Sequence, residues 1–407
     1  MAEFPPHRRI LLLGPTGVNK AVAANRLREH IASTLGHRLT FVDFENAFLK
    51  IHLKSWMTFL GQDIVQQAST WRRAWDEFKQ SLDDEITVLG LHATYVSGLL
   101  GLRCPIHIPS ICGDFGPTLI ISFIDDVYNM WTRTEARAAG REYEGRPSFE
   151  QLLVARRAEQ TLGDLILSHT GNHRARHVLC AAGNSLDTLA NLIIFDAPVT
   201  YLSFPISAAR ELQANGDNSF IDLINHAHHL AAAEMKTGRR QSFISPLAID
   251  ELPIVAKLQD NDMAAEVHFD FRKDRWNLDE LWGDPSFCIL PRMAEALKFP
   301  MAQINEAAGA IRTDVGWRDR RLVLQSRSLA IVCPKHPEEN RITRGVAEEI
   351  QTAVAVGTVC NYWQRPEWDP EDFVGNQFPA AGSMGIGQTQ ALVRRMTTLE
   401  ELIRAKP

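Results

Sequence analysis

Short apolar runs alternate with amphipathic helical stretches along the first half of the chain. The apolar runs predict buried strands at Arg9–Gly14, Leu39–Asp43, Glu85–Leu91, Thr118–Ile124 and His177–Ala182. Between them, helices are predicted at Ala21–Leu35, Phe149–Leu167 and Ser185–Ile194. Strands that alternate with helices in this way are typical of a mostly parallel sheet wrapped by helices.

The second half repeats this alternation. It predicts strands at Val199–Ser207, Ser242–Pro246, Ser328–Cys333 and Thr358–Tyr362, the last of them terminal, and helices at Phe220–Lys236, Arg318–Ser326 and Val346–Val356. Asp196–Pro198 looks like the joint between the halves, and a stretch from about 255 to 310, rich in charge and tryptophan, is predicted to be an insertion or lid. We therefore expect an α/β protein of two domains, residues 1–196 and 197–407, each a mostly parallel sheet with flanking helices.

Composition supports a globular protein with two domains. At 407 residues the chain is too long for one ordinary domain, and its 45% hydrophobic and 23% charged residues are typical of a soluble protein. A formal charge of −6 gives no broad attraction to nucleic acid. No signal-peptide core or spanning segment is recognisable, so we expect a cytoplasmic protein without a membrane partner. The cysteines are scattered without a C-x-x-C pair, which argues against a zinc site or a disulfide framework.

A glycine-containing loop separates the first predicted strand from its helix. Phosphate-binding loops read G-x-x-x-x-G-K-[ST], and here the stretch runs Gly14-Pro-Thr-Gly17-Val-Asn19-Lys20-Ala21. It resembles the P-loop of nucleoside and nucleotide kinases, a likeness that extends over residues 8–195. The basic, lid-like region that such kinases use would contain Arg133, Arg137, Arg156 and Arg157, although each of these arginines singly is predicted to lie on a solvated helix face. The resemblance implies that Gly14, Gly17, Asn19 and Lys20 bind a nucleotide, either ATP or another one, together with magnesium. Asn19 replaces the last glycine and Ala21 replaces the metal-binding hydroxyl, so we expect a degenerate site.

The second half carries a different set of markers. They are Tyr201-Leu-Ser-Phe-Pro205, the stretch from Gly238 to Pro246, Asp319 with Arg321, and Gly345-Val-Ala-Glu-Glu349-Ile. Over about residues 198–362 they resemble the nucleoside 2-deoxyribosyltransferase family and the related nucleotide N-glycosidases, which have a Rossmann-type sheet.

That resemblance assigns roles to individual residues. It implies that Glu349 is the nucleophile, that Tyr201 lies against the sugar and the nucleophile, and that Asp319 belongs to the catalytic set. Residues near the ligand would be Ser203, Phe204, Pro205 and Gly345, where glycine lets backbone approach the ligand. These enzymes commonly complete one active site with a residue of a neighbouring subunit, so we expect a homo-oligomer in which Asn376 plays that part.

Several positions also have an ordinary structural interpretation. Glu349 could complement the dipole of a helix from its first turn, Tyr201 could be a core residue, and Asp319 could cap a helix that begins near Arg320. Thr343 and Ser328 stand where the family carries aspartates, which leaves base recognition open. Three neighbouring histidines of the second domain are predicted to form a polar helix face rather than a metal site, since only two can share one face. They are His226, His228 and His229.

We therefore expect cleavage or exchange of the N-glycosidic bond of a nucleoside or nucleotide through Glu349. A carboxylate suits this chemistry because it stabilises an oxocarbenium-like centre and then captures it covalently. No cofactor is required for that step. The alternatives are a nucleotide-sensing pseudoenzyme, or a nucleoside kinase that carries an inert C-terminal domain.

Overall fold

The computed structural model describes residues 8–82, 86–97, 101–139, 147–237, 241–260, 266–269, 281–284, 286, 288–290, 297–333, 342–365 and 393–405. The chain divides into two compact units. Unit 1 comprises Met1–Leu186, Ile249–Asn277 and Ile289–Val315, and unit 2 comprises Asp187–Ala248, Leu278–Cys288 and Gly316–Pro407.

The first strands of unit 1 are β1 (Arg9–Leu13), β2 (Leu39–Asp43), β3 (Ile86–Leu91), β4 (Tyr95–Ser97), β5 (Gly101–Arg103), β6 (Leu119–Ile124) and β7 (Arg176–Ala181). Five of them form a parallel sheet in the order β2-β3-β1-β6-β7, and β4 pairs with β5 in a separate antiparallel ribbon. β3 and β6 are buried at every position, as expected for strands that are covered on both faces.

Helices cover this sheet. They are α1 (Lys20–Leu35), α2 (Trp56–Leu60), α3 (Ile64–Gln80), α4 (Ile108–Ser110), α5 (Val127–Ala139) and α6 (Phe149–His169), with short helical turns at Glu45–Leu49, Lys50–His52 and Ile111–Phe115. Side chains fix where two of these helices begin. Asp63 accepts hydrogen bonds from the backbone N–H groups of Val65 and Gln66 at the start of α3, and Ser148 and Gln151 form a capping box at the start of α6.

The chain continues through α7 (Leu186–Phe195), β8 (Val199–Ser203), α8 (Ile206–Ala214), α9 (Ser219–Lys236), β9 (Ser242–Ile244) and a helical turn at Pro246–Ala248. It then forms α10 (Leu252–Asp260), β10 (Glu266–Phe269), β11 (Leu297–Pro300) and α11 (Met301–Leu324). β10 and β11 pair antiparallel. The last elements are β12 (Ser328–Val332), α12 (Arg344–Ala355), β13 (Val359–Trp363), β14 (Val393–Arg395) and α13 (Leu399–Arg404).

Unit 2 contains a second parallel sheet in the order β14-β13-β12-β8-β9. Counted along this unit, the strands lie in the order 5-4-3-1-2, which is the flavodoxin-like doubly wound arrangement. Its topological switch point lies between β8 and β12, the two central strands, where ligands bind at the carboxyl ends in open α/β sheets. Both strands are buried at every position.

The predicted fold class is confirmed: the protein is α/β, with two mostly parallel five-stranded sheets flanked by helices. The segment assigned to an insertion differs from the prediction, because Ile249–Asn277 and Ile289–Val315 group with unit 1 rather than with the second half. There Val127 donates its backbone N–H to the Glu251 carboxylate at 2.7 Å. Within the described ranges, no helix combines the length and the apolar character needed to cross a bilayer.

One helix prediction and one strand prediction need correction. The helix expected at Arg318–Ser326 is the last part of α11, so Asp319 lies inside a helix and does not cap its start. The strand expected to be terminal, β13, is followed by β14, which pairs with it in parallel.

Candidate functional site

The carboxyl end of β8 presents two hydroxyl groups on one face of the sheet. Tyr201 and Ser203 are two residues apart, and successive side chains of a strand point to opposite faces, so these two lie on the same side. Both are completely buried. Ser203 pairs in register with Ile331 of β12, which places this edge at the switch point of the unit 2 sheet.

Helix α12 carries a carboxylate to the same place. Tyr201 donates its phenolic O–H to Oε1 of Glu349 at 2.7 Å, and Ser203 donates its hydroxyl to Oε2 at 2.5 Å. Each carboxylate oxygen therefore has its own donor. The orientation of the carboxylate is fixed from two sides, as required of a group that acts on a bound ligand.

The adjacent glutamates of α12 point in different directions. Glu348 accepts a hydrogen bond from Nε of Arg344 at 2.9 Å on an exposed face, while Glu349 faces β8. Residues one apart on a helix are separated by about 100°, so only one can reach the sheet. Glu349 is also not a first-turn residue, because α12 begins at Arg344 and its first turn contains no acidic side chain. The interpretation of Glu349 as a dipole-complementing glutamate is therefore wrong.

The site strongly disfavours the charged form of its central carboxyl group. The pKa of Glu349 is raised to about 8, first by burial and second by the neighbouring Asp319 carboxylate, while the hydrogen bonds from Ser203 and Tyr201 act in the opposite direction. Burial, followed by Glu349 and Asp319, also raises the pKa of Tyr201 well above its ordinary value. Tyr201 consequently stays a neutral hydrogen-bond donor. A carboxyl pKa this far from its ordinary value is typical of functional sites.

A second carboxylate, Asp319, acts on the site from α11. It pairs with Arg318, whose Nη2 lies 2.9 Å from Oδ1 of Asp319, and the Arg318 residue is almost fully buried. No motif in the sequence singles out Arg318 as part of the site. Its effect on the site is visible in Tyr201, whose pKa Arg318 lowers against the larger effects of burial and the two carboxylates.

Behind β8, Phe204 packs on a buried histidine. The rings of Phe204 and His228 stack with centroids 4.9 Å apart. His228 hydrogen-bonds through Nδ1 to the Ile224 carbonyl and through Nε2 to the Ser245 hydroxyl, both at 2.8 Å. Burial lowers the pKa of His228 to about 3, so the ring is neutral. The prediction that this residue lies on a polar helix face is wrong, because the helix turns it into the core.

The remaining predicted residues of unit 2 have mixed placements. Pro205 precedes α8 at the carboxyl end of β8, beside the site. Gly345 lies in the first turn of α12, and a Cβ added there would meet no atom of the described residues within 4 Å, so none of their contacts requires glycine at this position. Asn376 lies outside the described residues. Ser328 is at the amino end of β12, where its hydroxyl contacts Thr200 at 2.9 Å, so it lies at the opposite edge of the sheet from Glu349.

In unit 1, the loop between β1 and α1 adopts a compact conformation. A Cβ on Gly14 would lie 2.7 Å from the carbonyl oxygen of Phe123, and one on Gly17 would lie 2.6 Å from that of Met130. Gly17 also has a φ of +92°, a conformation that favours glycine. Packing and backbone geometry therefore explain both glycines without a ligand. Asn19, with a φ of −83°, does not need the left-handed conformation.

The lysine of this loop is buried, and its ammonium group binds a backbone carbonyl of the same loop. Nζ of Lys20 donates a hydrogen bond to the carbonyl oxygen of Gly14 at 2.7 Å. The backbone N–H of Val18 donates to the Pro15 carbonyl at 3.2 Å, and that of Lys20 to the Val18 carbonyl at 2.9 Å. Two N–H groups that a phosphate cradle would use are thus bound to the loop itself. Together with Ala21, which has no hydroxyl for magnesium, this geometry does not fit magnesium-bound ATP.

The basic residues expected beside this loop are also engaged. Arg133 donates to the Gly17 carbonyl at 3.1 Å and to the Asp125 carboxylate at 2.5 Å. Arg156 is completely buried between Glu251 and Asp314. These guanidinium groups bind carboxylates of the protein itself.

A cavity of about 570 Å³ lies beside the same loop. Its lining includes the loop residues Asn19 and Lys20, the carboxylate Glu45, His92, and aromatic side chains from β2, α2 and β4, which are Phe41, Trp56 and Tyr95. Sequence reasoning missed Glu45, Trp56 and Tyr95. Glu45 lies in the turn directly after β2. Its position at the carboxyl end of a strand is the one signal that could have identified it.

No family model matches the chain, and a search of curated proteins gives no match to its sequence. Among the residues that the structure describes, no group of three or more histidine, cysteine, aspartate or glutamate side chains could hold a metal ion. The assignment of function therefore depends on the geometry of the two sites.

The raised pKa of Glu349 makes stability depend on pH. Between its ordinary value of 4.5 and its folded value of about 8, the folded protein keeps a proton that the unfolded chain releases. The contribution of protonated Glu349 to the free energy of unfolding is therefore fully present below pH 4.5. It is lost as the pH rises to about 8, by up to about 1.4 kcal/mol per pH unit. We expect Glu349→Gln to remove this loss. Thermal unfolding at pH 5 and pH 8 should show a smaller difference in Tm for the variant than for the wild type.

Proposed function

We propose that the protein cleaves or exchanges the N-glycosidic bond of a nucleoside or nucleotide, with Glu349 as the nucleophile. The observation that carries this proposal is the Glu349 carboxylate at the switch point between β8 and β12, held by the hydroxyls of Tyr201 and Ser203. A half-buried carboxyl group oriented by two donors, at the edge where open α/β sheets bind ligands, suits capture of an anomeric carbon.

In the first step, a carboxylate oxygen of Glu349 forms a bond to the anomeric carbon while the bond from that carbon to the base nitrogen breaks. The bonding electron pair leaves with the base, which takes up a proton. In the second step, the oxygen of water or the nitrogen of another base attacks the anomeric carbon. The bond to Glu349 then breaks, its electrons return to the carboxylate, and the attacking group releases a proton.

The environment of Glu349 suits the charge that develops in these steps. An oxocarbenium-like centre is positive, and a carboxylate in a poorly solvated site interacts with it more strongly than one in water. The raised pKa of Glu349 shows how poorly the free site solvates the carboxylate. The arriving positive charge would offset this cost. Tyr201 and Ser203 would hold the carboxylate in place while its charge is transferred to the new bond.

The test is a panel of ribo- and deoxyribonucleosides and their monophosphates and triphosphates, incubated with the full-length protein with and without a free acceptor base. Base release should be followed by chromatography, and the protein should be examined by mass spectrometry for a sugar attached to the peptide that contains Glu349. We expect a free base from at least one substrate and a transient sugar adduct. Absence of base release across the panel would refute the proposal.

The pH dependence of this reaction follows from the state of Glu349. Only the carboxylate can attack, so kcat/KM of the free enzyme should rise with pH and level off above about 8. Asp319→Asn removes the negative charge that raises the pKa of Glu349, so the rising limb should move to lower pH. A pH–rate profile of both proteins measures this. If kcat/KM rises at the same pH in the wild type and in Asp319→Asn, Asp319 does not raise the pKa of Glu349.

A further inference from the structure

The cavity of unit 1 contains a positive charge that the protein itself neutralises. Lys20 interacts electrostatically with two buried carboxyl groups, Glu45 and Glu159. Burial alone would raise the pKa of Glu45, but His92 and Lys20 outweigh it, so this pKa lies below its ordinary value. Burial raises the pKa of Glu159. Glu45 therefore favours its ionised form opposite Lys20, and the Glu45–Lys20 pair adds no net charge to the cavity.

The loop offers little to an anion in addition to this neutralised lysine. Its backbone donors at Val18 and Lys20 are bound to loop carbonyls, and Nζ of Lys20 is bound to Gly14. A phosphate entering the cavity would have to break these hydrogen bonds and would meet the Glu45 carboxylate. Both effects oppose the binding of a polyphosphate.

The other side of the cavity is suited to a flat, uncharged ligand. The rings of Trp56 and Tyr95 lie 5.3 Å apart at an angle of 31°, and both line the cavity together with Phe41. Aromatic side chains of this kind stack on nitrogen heterocycles. Trp56 is partly exposed, which leaves part of its ring open to the cavity.

Hydrogen-bonding groups lie beside these rings. The hydroxyl of Tyr95 and the backbone N–H of His92 both bind Oε1 of Glu45, at 3.0 and 2.5 Å. Among the described residues no donor contacts Oε2, which can accept from a ligand. Nε2 of His92 is buried without a hydrogen-bond partner within the described part of the chain, whereas Nδ1 faces Oε1 of Glu45 at 3.5 Å. With Nδ1–H directed at the Glu45 carboxylate, Nε2 is an acceptor. A ligand with N–H or amino groups would therefore satisfy both Oε2 of Glu45 and Nε2 of His92.

We infer that the cavity lined by Phe41, Glu45, Trp56, His92 and Tyr95 binds an uncharged nitrogen heterocycle, free or as its nucleoside, and excludes nucleoside triphosphates. The heterocycle stacks on Trp56 and donates to Glu45. The site does not depend on the reaction proposed for Glu349.

Calorimetric titration of the full-length Glu349→Gln protein tests this inference, since the variant does not consume nucleosides. The probes are purine and pyrimidine bases, their nucleosides, magnesium-bound ATP and inorganic phosphate. We expect a base or nucleoside to bind and ATP and phosphate to give no heat. Trp56→Ala should weaken the binding at least about tenfold, whereas Trp56→Phe should restore most of it. Comparison of bases with nucleosides identifies which form is bound.

A second variant tests the charge argument directly. Glu45→Gln keeps an acceptor for Tyr95 but leaves Lys20 without its ionised partner, so this protein should bind phosphate compounds that the wild type does not bind. Tight ATP binding by the parent protein that is lost in Lys20→Met would overturn the inference. Heterocycle binding that is unchanged by Trp56→Ala and lost in Tyr201→Phe would also overturn it, because that binding would belong to unit 2. Base release by the wild type is a separate readout, so failure of the proposed reaction can be recognised independently.

Discussion

Replacing Glu349 by glutamine should lower the rate of base release by at least about 10³-fold, because an amide cannot capture the anomeric carbon. The amide oxygen can still accept a hydrogen bond from Tyr201 or Ser203, so the local structure should persist. Steady-state measurement with the best substrate of the panel determines the loss. Circular dichroism and thermal unfolding verify that the variant is folded.

The chain supplies a matched control at the next position. Glu348→Gln makes the same chemical change on the same helix, but Glu348 faces solvent and pairs with Arg344. Exposed pairs at this spacing contribute only about 0.3–0.5 kcal/mol. We therefore expect Glu348→Gln to retain activity within about twofold. Equal losses in the two variants, or full activity in Glu349→Gln, would contradict the role given to Glu349.

The parallel sheets could be predicted because most of their strands are short, largely apolar runs in the sequence. β2 matches its predicted bounds at Leu39–Asp43, and β1, β3, β6 and β7 lie within a residue of theirs. A strand buried on both faces leaves a strong signal in the sequence, since most of its positions are apolar. Shorter elements such as β4 and β5 were missed because three residues carry no recognisable period.

The orientation of Glu349 could be predicted only in part. A family resemblance implies that Glu349 is the nucleophile, and the structure places its carboxylate against Tyr201 and Ser203. Its pKa could not be predicted, because burial and the proximity of Asp319 are tertiary properties. Asp319 lies thirty residues before Glu349 in the sequence, and the folding of α11 and α12 brings the two carboxyl groups close enough to interact.

The failures at Arg156 and His228 have the same physical origin. Both residues are polar and lie on helices, so the sequence predicted a solvated face for each. The structure buries both completely. A buried polar side chain is tolerated when partners from distant parts of the chain satisfy it, and those partners, such as Glu251 or Ser245, cannot be recognised from local sequence.

The second large effect is expected at Arg156, whose replacement by methionine should destabilise unit 1 by about 3–5 kcal/mol. Its Nη1 and Nη2 lie 2.8 and 2.9 Å from the two oxygens of Glu251, and Nη2 also binds Asp314. Burial alone would lower the pKa of Arg156, but Asp314 and Glu251 outweigh it and raise it. Methionine fills similar space and leaves both carboxylates buried without their main partner. Chemical denaturation of the full chain measures the loss.

Arg157 provides the control for this change. Its Nε lies 2.5 Å from the same Asp314, but its side chain is 38% exposed. Asp314 keeps Arg156 as its partner in Arg157→Met, and the lost guanidinium is partly solvated, so we expect a loss of about 1 kcal/mol or less. Similar losses for Arg156→Met and Arg157→Met would show that burial of the charge is not the cause.

Neutralising Glu251 and Asp314 shows why Arg156→Met is destabilising: because the attraction to the guanidinium is lost, or because two carboxylates remain buried without a positive partner. If Arg156→Met is destabilising because two charged groups remain buried, Glu251→Gln and Asp314→Asn should recover most of the loss in the triple variant. Glutamine at 251 can still accept the backbone N–H of Val127, so that hydrogen bond need not be lost. Replacement of an entire buried ion cluster by uncharged groups often changes the stability little, whereas removal of one partner is strongly destabilising. A triple variant as unstable as Arg156→Met alone would instead assign the loss to the packing of the guanidinium and its hydrogen bond to the Asp125 carbonyl.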